Sequence, residues 1–144
     1  MAPLDVQWAR ALYPDPPLTA PGPDPGLAEL LAPMIGAGSL KPFYDSAAWL
    51  KVRAAVLAEC HGESAWERQC SPARYEPATI VHHIYRVRRF PGLALSPWVT
   101  DPRTGRVERN LVALSHEAHE LAHGRAFPKG RGRRATDGLP PERW

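Results

Sequence analysis

Residues 79–89 read TIVHHIYRVRR, and they set two of the chain's six histidines, His82 and His83, side by side after a β-branched apolar run. Thr79, Ile80 and Val81 have high strand propensity, so residues 78–84 (ATIVHHI) predict a strand. Successive side chains on a strand point to opposite faces. One imidazole would then point into a core and sit badly there. The pair makes better sense if the strand ends and the chain turns, so that both rings serve one site. Such a site needs partners from elsewhere.

The partners stand in residues 110–125, NLVALSHEAHELAHGR, which predict a short strand running into a helix that ends before Gly124, a natural C′ residue. His116, His119 and His123 are spaced by three and four, which keeps them on one helical face. The i, i+4 pair His119 and His123 can hold one metal ion between them; the plainer alternative is a solvated or half-buried face. Five of six histidines in two short segments favour the cluster. Clustered imidazole nitrogens suit a divalent transition metal.

Nine of the seventeen prolines lie in residues 1–42, among them those of YPDPPLTAPGPDPG, which favours extended or irregular backbone. DVQWARAL and GLAELLAPM predict a turn or two of helix each, with Leu27, Leu30, Leu31 and Met34 spaced for a docking face. These residues read as an arm laid on a domain. The globular pattern starts at Phe43. Asp45 or Ser46 caps a helix of about 14 residues whose apolar period runs through Trp49, Val52, Val56 and Leu57. Residues 61–77 are polar and proline-broken and predict a loop. WVT and RVE flank the turn DPRTG, the pattern of a small hairpin. The expected class is α+β.

Composition narrows the setting. The 144 residues suit one domain plus an extension. No run approaches the roughly 20 apolar residues of a membrane span, and no secretory signal pattern opens the chain; a cytoplasmic protein is expected. The net charge of +3 divides as −2 over residues 1–42, +1 over 43–124 and +4 over 125–144. The last segment, with GRAFPKGRGRR, has the composition of a basic arm for a polyanion, though such tails often only solvate a chain. Cys60 and Cys70 have no CxxC spacing and read as free thiols.

VHHI, then Asn110 in RNLVAL, then HEAHELAHGR resemble the motif of the HNH endonucleases, which is carried on a ββα-metal finger. FYDSAAWLKVRAAVL is similar to the helix before the finger in phage-encoded members, and YEPATIVHHI to their first finger strand. The resemblance covers residues 43–125, leaving a proline-rich arm at 1–42 and a basic tail at 126–144. The spacing from Asn110 to His123 also resembles the colicin DNase form.

The resemblance implies a role for each position. His83 is the general base that takes a proton from water, a task suited to a near-neutral pKa. His82, His119 and His123 hold one divalent ion (Mg2+, Mn2+, Ni2+ or Zn2+). Asn110 bonds across the finger loop and holds the His83 segment in register. Arg86, Arg88 and Arg89 contact DNA phosphates, or else form a solvated loop. His116 falls outside the motif and reads as a surface or substrate contact, and His61 as an ordinary loop residue. The substrate is DNA, and work beside a phage DNA-packaging terminase is implied.

The chain departs from many phage members in lacking two CxxC knuckles. Those positions fall at Ser64, Glu67, Ser115 and Ala118, so no four-cysteine structural zinc is expected. Structural zinc contributes about 10–16 kcal/mol of apparent binding free energy in small domains. Trp49, Trp66 and Trp98, with the first helix and the arm, are expected to supply a substitute core. The segment from His83 to Asn110 is longer than in short members, and its hairpin either reaches a DNA groove or packs on the domain. Two readings compete with the nuclease: a non-catalytic DNA-binding or phage assembly module, and a histidine-based zinc-binding interaction domain.

Overall fold

A computed structural model describes residues 5–123. The basic tail and Gly124 lie outside the described residues. The class is α+β. Helices α1 (Val6–Leu12) and α2 (Pro25–Ala37) belong to the proline-rich segment, followed by the short α3 (Lys41–Tyr44), α4 (Ala47–Glu59) and α5 (Ala65–Arg68). Then come β1 (Ile80–His83), a 3-10 turn (Pro91–Leu93), β2 (Trp98–Thr100), β3 (Val107–Arg109), β4 (Leu111–Leu114) and α6 (His116–Ala122). No helix among the described residues is long and apolar enough to cross a membrane.

Strands β1 and β4 pair antiparallel, with Val81 opposite Ala113, His82 opposite Val112 and His83 opposite Leu111. Alternation then gives the ribbon two different faces. Val81, Leu111 and Ala113 join Phe43, Trp49 and Val56 in the largest core cluster, so α4 covers one face. Val112 and Leu114 pack with Ala118 and Ala122, so α6 covers the other. Both helices start at serine caps: Ser46 Oγ accepts from Trp49 N at 3.2 Å and Ser115 Oγ from Ala118 N at 3.0 Å.

The hairpin forms where DPRTG predicts it, with β2 and β3 antiparallel. Asp101 Oδ1 accepts from Arg103 N and Thr104 N, and Gly105 supplies the left-handed φ of 74° that the turn needs. The hairpin packs on the domain. Helix α1 lies against β3, where Arg10 pairs with Glu108 at 2.6 Å. Arg109 is 1% exposed and binds Glu59 of α4 through two nitrogens at 3.1 and 2.7 Å, with its guanidinium 4.1 Å over the Tyr13 ring.

Residues 5–42 contribute to the core itself. Leu31 and Leu40 are fully buried in the α4-side cluster. Thr100 N donates to Pro21 O and Asp24 N to Gly92 O, both at 2.9 Å, which threads the arm past the hairpin. A Cβ on Gly92 would stand 2.8 Å from Asp24 N and 2.9 Å from Asp24 O, so only glycine admits this backbone approach.

Three expectations need correction. The predicted loop at 61–77 contains α5, a single helical turn too short to show a period. Leu30 is 61% exposed, because the stripe of α2 that packs inward runs through Leu27, Leu31, Met34 and Ile35 and leaves it on the flank. The three tryptophans do not share one core. Trp49 is buried in the α4-side cluster, Trp66 stacks on Trp8 beside α6, and Trp98 meets Tyr13 edge-on. The positions matched to the missing knuckles do meet, through hydrogen bonds among Ser64, Glu67, Ser115 and the Ala118 amide. Cys60 and Cys70 are free.

Candidate metal centre

His82 leaves β1 on the α6 face. His119 lies one turn inside α6, and His123 is its C-cap residue. The imidazole centroids are 5.2 Å (His82–His119), 5.1 Å (His82–His123) and 4.6 Å (His119–His123) apart. One nitrogen from each ring lies within 4.8 Å of the others. The Nε2 atoms of His119 and His123 are separated by 3.1 Å. Two nitrogens bound to one ion at 2.0–2.1 Å in tetrahedral geometry stand about 3.3 Å apart, so this donor set fits a single cation. His82 Nδ1 is buried with no hydrogen-bond partner. A buried polar nitrogen left without a partner is costly, and coordination is one way to satisfy it.

Burial holds the His82 pKa well below the ordinary imidazole value, with further depression from His123, His83 and Arg86 nearby. A neutral ring is what a metal needs. In metal-free protein the unfolded chain protonates His82 as pH falls through about 6.5 while the folded chain does not. The unfolded state then binds more protons, so stability falls as pH drops from about 6.5 toward the depressed value. Denaturant unfolding of chelated protein at pH 7.5 and 5.5 measures this. A flat profile, or one rising toward acid, would rule out a neutral buried His82.

His83 is placed elsewhere. The expected turn at the pair does not occur: the strand continues through both histidines, and alternation turns His83 to the α4 face while His82 points to the α6 face. Its ring stacks on Trp49 with centroids 4.9 Å apart, Tyr44 and Phe43 lie at 6.2 and 6.5 Å, and the residue is 1% exposed. Its Nε2 meets the carbonyl of Ala94 at 2.9 Å. A carbonyl only accepts, so Nε2 carries the hydrogen and Nδ1 is the basic nitrogen.

Asn110 ties the loop between β1 and β2 together. Its Nδ2 donates to Leu93 O at 2.9 Å and Ser96 O at 3.1 Å, while Oδ1 accepts from Tyr85 N at 2.9 Å. Tyr85 OH in turn donates to Asp101 at 2.7 Å, and that bond holds the Asp101 carboxyl below the usual range. Arg86, Arg88 and Arg89 are exposed on this loop, with Arg86 close enough to act on His82. His116 and His61 are exposed, and neither joins the cluster. Two features escaped the sequence reading: the aromatic cover of His83, and the Ala94 carbonyl that orients it. No local pattern marks either, since their partners lie 34 and 11 residues away.

No protein-family model, curated protein or solved structure matches the chain.

Proposed function

We propose that the chain is a metal-dependent DNA endonuclease or nickase built on an HNH finger formed by β1, β4 and α6. The convergence of His82, His119 and His123 from a strand and a helix carries this reading. These three histidines would hold a divalent cation, which would supply positive charge to the scissile phosphate and to the departing 3′ oxygen. His83, with Nε2 committed to Ala94, accepts the proton of the attacking water at Nδ1. Asn110 keeps the loop that presents the Ala94 carbonyl closed, and so fixes the ring's tilt. Arg86, Arg88 and Arg89 neutralise neighbouring phosphates, so affinity for DNA falls steeply with added salt. In-line attack leaves 5′-phosphate and 3′-hydroxyl ends. A phage or prophage origin, action beside a DNA-packaging terminase and a host-cell cytoplasmic setting belong to the same reading.

One observation favours a second reading, a metal-holding DNA-binding or assembly module without cleavage. His83 lies on the α4 face, opposite the three-histidine cluster, and is covered by Trp49. Proton abstraction therefore requires that the aromatic cover yield the ring edge to a water shared with the metal side. Nicking of supercoiled plasmid by metal-stripped protein, with each metal added back, separates the two. The nuclease requires metal-dependent nicking that His83→Ala lowers by about 100-fold or more. Folded protein that binds metal and DNA yet never nicks would establish the module.

A further inference from the structure

Glu67 is an anomaly in the fold. It is 1% exposed, and no lysine or arginine among the described residues pairs with it. Two serine hydroxyls hold it instead. Ser64 Oγ donates to one carboxylate oxygen, and Ser115 Oγ donates to the other at 2.6 Å. Each hydroxyl also accepts: Ser64 Oγ from Ser115 N at 3.0 Å, and Ser115 Oγ from Ala118 N at 3.0 Å. Carboxylate, hydroxyls and backbone amides therefore form a closed circuit that tolerates little change in the angle or rotation of its parts.

The circuit joins the two elements that carry the candidate ligands. On one side it ends at Ala118, directly before His119, whose own N–H bonds Ser115 O at 3.0 Å. On the other side, Ser64 N donates to Glu76 O and Ala78 N to Gly62 O, both at 2.8 Å, and Thr79 N donates to Leu114 O at 3.0 Å. His82 follows three residues later. Trp66, in the same turn as Glu67, packs against the α6 cluster. Apolar contact alone would press α5 onto α6 without setting its rotation, whereas directional bonds set it.

We infer that Glu67, with Ser64 and Ser115, is a positioning lock that fixes the rotation of α6, so that His119 and His123 meet His82; this rests on the metal-centre reading. The side chains touch no ligand nitrogen and act through the first turn of the helix.

The test uses the full chain, with Co2+ as the probe and amide hydrogen exchange on metal-free protein. Glu67→Ala and Ser64→Ala are compared with Val56→Ala, a core truncation on the α4 side. Glu67→Gln, which keeps shape and one acceptor, serves if the alanine variant fails to fold. Loss of the lock weakens Co2+ binding by about tenfold or more, while Val56→Ala changes it less than about twofold. Exchange accelerates in α6 relative to α4 in the lock variants only. Folded Glu67 variants that bind Co2+ like wild type, or a Val56→Ala loss of equal size, would overturn the lock. So would exchange that accelerates equally in both helices. Wild-type protein that binds no Co2+ would sink the metal-centre reading alone, and the α6-to-α4 exchange ratio would still decide the lock.

Discussion

His82→Ala should lower affinity for Zn2+, Ni2+ or Co2+ by more than about 100-fold. Loss of a residue that merely orients a ligand costs roughly 10–100-fold, and His82 is placed to be a ligand itself. What remains is the i, i+4 pair His119 and His123, with Nε2 atoms 3.1 Å apart but no third nitrogen from the strand. The cluster contains no carboxylate, so the same donors should hold Mg2+ weakly; hard cations prefer oxygen. Competition against a chromophoric chelator measures both statements. The fold should respond far less than the affinity, since alanine also removes a buried nitrogen that lacked a partner. If His82→Ala binds Zn2+ as wild type does, the three histidines do not form the site.

Asn110→Ala should cost about 3 kcal/mol or more of folding stability. The side chain is fully buried; its loss strands the buried amide of Tyr85, takes the only side-chain donor from the part-buried Ser96 carbonyl, and leaves the Leu93 carbonyl with Ser96 N alone. Each buried group left unsatisfied costs about 1–3 kcal/mol. Against a total of about 5–15 kcal/mol, that is a large share. Asn110→Asp should fare little better, because it sets a second oxygen against the Leu93 and Ser96 carbonyls. Denaturant melts of metal-free protein decide this. A loss below about 1 kcal/mol would mean that water replaces the amide and that the loop does not depend on it.

Local pattern revealed the elements that end in strong signals. Ser46 and the period through Trp49 and Val56 marked α4, and DPRTG marked the hairpin. The β-branched run before His82 marked β1, and the histidine spacing marked α6 and the cluster. What local pattern lacked was long-range pairing. Alternation already turned one of His82 and His83 into a core. That outcome looked unfavourable only because Trp49 and the Ala94 carbonyl, which make the core habitable for an imidazole, are distant in sequence. The burial of Glu67 was hidden in the same way, since its partner Ser115 lies 48 residues on. Prolines announced irregular backbone in the arm, but not that Leu31 and Leu40 would enter the main core.

That last arrangement has a consequence in time. Leu31 leaves the ribosome about 80 residues ahead of Leu111, a member of the same cluster. At roughly 5–20 residues per second, the wait is on the order of 4–16 s. During it, Leu31 has only the earlier members of its cluster to meet, Leu40, Phe43, Trp49 and Val56 among them, and the core cannot close until the β1–β4 ribbon brings Val81, Leu111 and Ala113.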